Sequence, residues 1–223
     1  MECVAYAVGS PVVEEVLDIV ARLGWTVRGG VANAAADYRP IDLVPIVEPA
    51  DIPSDWLSLP VVMPMVTPGY RWLVEREVRD RGFGSFATVV DATADVSATA
   101  VVGEGSFVGI GALIGARATL GRFVWVSRGG VVSHHDVLED FATLGPGCTL
   151  CGSVTIGPGA FVGAGAVVNP NISVGANALV GSGSVVRRDV PEHTLVAGNP
   201  ATVVAETSGY NDVSVEVRPQ GRG

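Results

Sequence analysis

The chain has 223 residues and a formal charge of −9, and all 14 of its basic residues are arginine. The lack of lysine excludes Schiff-base chemistry and a P-loop lysine, and the acidic balance argues against a nucleic-acid surface, which needs a basic stripe. With 29 glycines and only 6% aromatics, the interior must pack small and aliphatic side chains rather than large rings.

The N-terminus lacks a basic n-region and places Glu2, Glu14 and Glu15 early, so no signal peptide is expected. No apolar run approaches the roughly 18 residues of a membrane span. Cys3, Cys148 and Cys151 form an odd set without framework spacing, which fits a reducing compartment. The expectation is a soluble, cytoplasmic protein with neither membrane nor nucleic acid as partner.

Residues 2–8 read as a strand, followed by the turn Gly9-Ser10-Pro11. Residues 12–23 have helical spacing and end at Gly24, and residues 25–32 read as a second strand. The stretch 40–60 is Pro-rich and irregular. Residues 61–66 predict a third strand interrupted by Pro64, residues 69–81 a second helix, and residues 86–90 a lead into the second half of the chain. Residues 1–87 are therefore a small α/β domain of the βαβ type. Its first turn stands where a phosphate-cradling loop would meet a helix N-terminus. It lacks G-x-G-x-x-G, and an ordinary strand-to-helix turn accounts for it equally well.

From Val90 to Val186, every sixth residue is aliphatic, seventeen in succession without an insertion. A helix repeats at 3.6 and a strand at 2, so neither explains this beat. A coil with three short flat sides does, with eighteen residues to a turn. Two residues before each aliphatic the side chain is mostly small, as at Ala112, Ala118, Ala142, Ala160, Ala166 and Ala178. The residue after it is Gly in nine of the seventeen cases, which suggests corners of unusual φ/ψ. The fold class is thus mainly β: a parallel β-helix over 88–190, a closing loop and strand over 191–205, and an expected mobile tail over 206–223.

One segment departs from this regularity: Ser133-His134-His135-Asp136. It holds two of the three histidines, and Asp136 is the one charged residue in the small inward slot. A buried carboxylate needs hydrogen-bond partners. Imidazole suits proton removal near neutral pH, so a general base is the sharper reading. A plainer account is that the histidines decorate a subunit interface while Asp136 caps a turn. One coil beyond His134 is Gly152, whose backbone N–H could meet an oxyanion. Cys148 and Cys151 occupy an inward slot and a corner, where packing explains them.

The hexad pattern, with the closing Ala197-Gly198-Asn199-Pro200-Ala201, resembles the left-handed β-helix acyltransferases, and left-handedness is taken from that resemblance. The segment from Val131 to Phe141 is similar to the active-site segment of the sugar acetyltransferases of sialic-acid and bacillosamine synthesis. The resemblance implies acetyl transfer from acetyl-CoA as co-substrate to a sugar, a homotrimer, and acetyl-CoA held between subunits; no metal is expected, because the histidine constellation a metal would need is missing. It puts the base on His134, the oxyanion amide on Gly152, and CoA contacts on Thr143, Ala164 and Ser182. Ser10 falls on an acceptor-contacting position. There are departures. His135 stands where the family has an acidic residue, with the carboxylate moved to Asp136. Either Asp136 orients His134 or His135 and Asp136 form the working pair. Pro11-Val12 replaces a Gly-His pair, and Asn33 stands where an acidic residue is usual. Two other functions share the prism: a non-catalytic scaffold, and a zinc enzyme of the carbonic-anhydrase type, for which the histidines are too few and too close together.

Overall fold

The structure, a computed structural model, describes residues 1–32 and 45–216. Its N-terminal part is a four-stranded parallel sheet in the order β3-β2-β1-β4, formed by β1 (Glu2–Tyr6), β2 (Thr26–Val31), β3 (Ile46–Val47) and β4 (Val61–Val62). Helix α1 (Val12–Arg22) buries Val13, Val16, Ile19 and Val20, the apolar face its spacing predicts. Helix α2 (Pro68–Asp80) begins with Pro at a position where a missing N–H costs nothing. Three expectations change. The first strand stops at Tyr6 because Ala7 takes φ 62°, and the third shrinks to two residues ahead of Pro64. The stretch regarded as irregular contains β3 and two 3₁₀ turns, Pro49–Asp51 and Ser54–Ser58.

The repeat folds as a left-handed parallel β-helix of seventeen two-residue strands, from Val89–Val90 to Val185–Val186. Strands eighteen residues apart pair in register, as in Trp125 with Thr143 and Val126 with Leu144. This makes three flat faces. Face 1 carries 107–108, 125–126, 143–144 and 161–162; face 2 carries 113–114, 131–132 and 149–150; face 3 carries 119–120, 137–138 and 155–156. The aliphatic at each sixth position points inward. Val108, Leu138, Leu144, Leu150, Ile156, Val162 and Val168 are fully buried, each contributing about 1.5–3 kcal/mol of apolar burial.

The glycines after the aliphatics serve a different purpose from the one expected. Positive φ falls two residues later, at Gly105, Arg117, Phe123, His135, Phe141, Gly147 and Gly165. Instead, a Cβ on Gly163 would lie 2.6 Å from the Ser182 backbone N, and one on Gly145 would lie 2.8 Å from that of Ala164. Close coil-to-coil approach, not backbone strain, excludes a side chain there.

The N-terminal domain lies on face 1. The outward residues Val89, Phe107 and Trp125 pack with Val16, Ile19 and Val20, while Phe123 and Phe141 on the corner between faces 3 and 1 join Tyr6, Phe83 and Phe86. After the last coil, Thr194–Gly198 and Ala201–Glu206 form an antiparallel hairpin. The segment expected to be a mobile tail is docked through residue 216: Val215 is buried, and Tyr210 stacks on Phe161.

Candidate active site

The segment 133–136 forms the corner between faces 2 and 3. Val132 and Leu138 anchor it inside the prism, so the three residues after Val132 must make the turn. His135 takes the left-handed slot at φ 60°, which turns its side chain outward beside that of His134, and both rings are exposed. Their Nδ1 atoms lie 3.2 Å apart. Such a contact holds together only if one ring donates and the other accepts.

Asp136 points inward and is fully buried. Its carboxylate accepts from the Ser133 N–H at 2.6 Å and the Val154 N–H at 2.8 Å. Burial pushes the carboxyl above the usual aspartate range, while the amides of Val154, Ser133 and Gly152 and the charge on His134 act in the opposite direction. Asp136 therefore braces the corner through backbone amides. The ring that hydrogen-bonds His134 is His135.

Gly152, one coil above, adopts φ 104°, and a Cβ on it would sit 3.0 Å from both Cε1 and Nε2 of His134. The imidazole thus lies over the glycine with its Nε2 edge close to that backbone. Cys151 beside it is half-buried, and burial raises its thiol pKa; in Cys148, fully buried and donating to the Gly163 carbonyl at 2.8 Å, the pKa is pushed up to about 11. Neither is set up as a nucleophile.

The three positions assigned to CoA separate. Ala164 and Ser182 are exposed and stacked one coil apart on the corner between faces 1 and 2, where the Gly183 N–H donates to the Ala164 carbonyl at 2.8 Å. Thr143 does not join them. It is fully buried on face 1, with its Oγ1 accepting from Arg71 Nη2 at 2.8 Å and donating to the Val66 carbonyl at 3.2 Å. The domain covering face 1 explains this correction: an outward slot on that face is an interior position of the whole chain.

Ser10, at the start of α1, is half-buried and lines a cavity of about 530 Å³ with Gly9, Met65, Thr67, Tyr70 and Glu77. The first turn of α2 borders it through Thr67 and Tyr70. Asn33 lies outside the described residues.

Sequence reasoning missed Arg71, which is 1% exposed. Its guanidinium donates to the carbonyls of Phe123 at 3.0 Å, Met65 at 3.1 Å, Phe141 at 2.8 Å and Ala142 at 3.3 Å, and also to Val66. Burial alone pulls its pKa down to about 9. Met65 and Val66 line the cavity, so Arg71 ties the cavity wall to the prism. The signal available in the sequence was indirect: aromatics at outward or corner positions eighteen apart, Phe107 with Trp125 and Phe123 with Phe141, mark a prism surface that something covers.

A family model described as bacterial transferase hexapeptide (six repeats) matches residues 137–170 and 153–188. Among solved structures, a histidine-to-alanine variant of GDP-perosamine N-acetyltransferase from Caulobacter crescentus, in complex with CoA and GDP-perosamine, is 30% identical with a TM-score of 0.82, over 92% of this chain and 97% of that one. The acetyltransferase domain of PglB from Neisseria gonorrhoeae in complex with acetyl coenzyme A is 23% identical with a TM-score of 0.79, over 91% and 98% of the two chains. WeeI from Acinetobacter baumannii is 21% identical with a TM-score of 0.79, over 92% of this chain and 100% of that one. The last two show a shared fold. Comparison with curated protein sequences finds no match.

Proposed function

The chain belongs to the hexapeptide-repeat sugar acyltransferases, and from that premise we propose that it moves an acetyl group from acetyl-CoA to the amine of a nucleotide-linked amino sugar, with His134 as general base. The observation that carries this reading is His134 lying over Gly152 in a chain whose fold follows a GDP-perosamine N-acetyltransferase almost end to end.

In the proposed reaction His134 carries its proton on Nδ1 and donates it to Nδ1 of His135, leaving a lone pair on Nε2. Nε2 takes a proton from the acceptor amine as that nitrogen bonds to the thioester carbonyl carbon. The Gly152 N–H, which leans on the Asp136 carboxylate in the free protein, turns to the oxygen that becomes negative. Asp136, held by the Ser133 and Val154 amides, keeps in place the corner that carries His134. As the carbon–sulfur bond breaks, His134 passes the proton to the departing sulfur, giving an amide and free CoA. The cavity lined by Ser10, Thr67 and Tyr70 would receive the nucleotide-linked part of the acceptor.

A homotrimer is part of the proposal. His134 stands on the corner between faces 2 and 3, Ala164 and Ser182 on the corner between faces 1 and 2, and the Ser10 cavity in the domain over face 1. A complete site then takes its base from one copy and its acceptor cavity from another.

The test is release of free thiol when purified protein meets acetyl-CoA and a panel of GDP-, UDP- and dTDP-linked amino sugars. At least one acceptor should react, and His134→Ala should slow it by roughly 100-fold or more. Full activity in His134→Ala, or no thiol release with any amino sugar, would overturn the reading.

A further inference from the structure

We propose that residues 208–215 form a strap that positions the wall of the acceptor cavity, an inference that rests on the acceptor role given above to that cavity. The chain leaves the closing hairpin at Glu206 and turns back, with the Thr207 N–H donating to the His193 carbonyl at 2.8 Å. It then crosses face 1, where Tyr210 stacks on Phe161 with ring centres 4.1 Å apart and planes within 16°. It is pinned at its far end. Asn177, on the corner between faces 3 and 1 and 1% exposed, donates from Nδ2 to the Val215 carbonyl at 3.0 Å and accepts the Val215 N–H on Oδ1 at 2.7 Å. One amide side chain thus satisfies both backbone groups of Val215, as a neighbouring strand would.

Two features tie the strap to the cavity. Val215, 3% exposed, packs in the same apolar cluster as Ala7, Met65 and Val74, and all three line the cavity. Val213 lies against the first turn of α2. A Cβ on Gly69 would meet its carbonyl oxygen at 2.4 Å and its Cβ at 2.5 Å. Gly69 lies between Thr67 and Tyr70, both lining residues. That turn has no side-chain cap, so its placement depends on what packs behind it. A wall fixed before binding spares the acceptor the cost of ordering it. The edge carrying Ala164 and Ser182 has no part in these contacts.

The experiment compares the full chain, a chain ending at Thr207, and a control ending at Glu216. Loss of the strap should raise the acceptor KM about tenfold or more, with the acetyl-CoA KM unchanged. The control should stay near the full chain, and a synthetic peptide of residues 208–223 should restore the shorter one. Asn177→Ala gives a milder version should the truncated chain fold poorly. Gly69→Ala should raise the acceptor KM in the full chain and add nothing once the strap is gone, a non-additivity expected only if both act through one contact. Amide exchange at residues 67–70 should accelerate without the strap, with or without substrate. An unchanged acceptor KM in an active truncated enzyme overturns the strap alone, as does full additivity with Gly69→Ala. A full chain that uses no nucleotide-linked amino sugar overturns the acceptor reading, and the strap's role with it.

Discussion

At His134 the demand on the neighbouring coil is steric before it is chemical. Residue 152 must lack a Cβ because the imidazole occupies that space at 3.0 Å, and it must tolerate φ 104°, which side-chain-bearing residues avoid. Gly152→Ala should therefore cost about 1–2 kcal/mol of stability and push the ring off its place, lowering kcat by at least tenfold. Thermal denaturation and thiol-release kinetics would check this, and a variant with wild-type kcat would remove Gly152 from the site. Asp136 turns inward, whereas both histidine rings face outward. Its carboxylate is held by the Ser133 and Val154 amides, so the hydrogen-bond partner of His134 is His135. Asp136→Ala leaves those two amides without an acceptor, at about 1–3 kcal/mol each. It should lower kcat while leaving the acetyl-CoA KM near normal.

The elements that matter most for the acceptor side are α2 and the outward slots of face 1. Arg71 reaches from α2 to the carbonyls of two successive coil corners, at Phe123 and Phe141, and to the Met65 carbonyl of the cavity wall. Two effects oppose each other in Arg71→Met. The change removes a buried cation whose pKa is depressed by burial, which favours the variant. It also leaves several buried acceptors without a donor, and that loss is larger because so many groups are orphaned together. Stability should fall by roughly 3 kcal/mol and Tm by about 10 °C, as read by calorimetry. A Tm equal to wild type would mean that water or neighbouring groups replace the guanidinium. The six-residue beat announced every coil, yet it could not tell which face is covered. That is why Thr143 was expected at the CoA edge and is found inside the junction.

At the scale of the whole molecule, the triangular section sets the terms. A single prism points its His134 corner away from face 1, where the α/β domain sits. If catalysis joins them across copies, two inactive variants should complement each other. His134→Ala mixed with Ser10→Trp, which fills the cavity, should recover about a quarter of wild-type activity after subunit exchange, since each shared site then has that chance of two intact halves. No recovery from freely exchanging subunits would assign both halves to one chain. Equilibrium sedimentation gives the stoichiometry independently.

Local periodicity was sufficient for the prism and its coil length. It was also sufficient for the inward place of Asp136 and the stacking of Gly152 on His134, because each follows from counting along a repeat without insertions. Tertiary structure alone decided that Thr143 is interior, that Arg71 clamps the domain to the prism, and that the final residues through 216 are docked. These depend on contacts between segments far apart in the chain, such as Arg71 with Thr143 and Asn177 with Val215. A repeat repeats its inward side chains, whereas the partners of its outward ones are set by whatever folds against them.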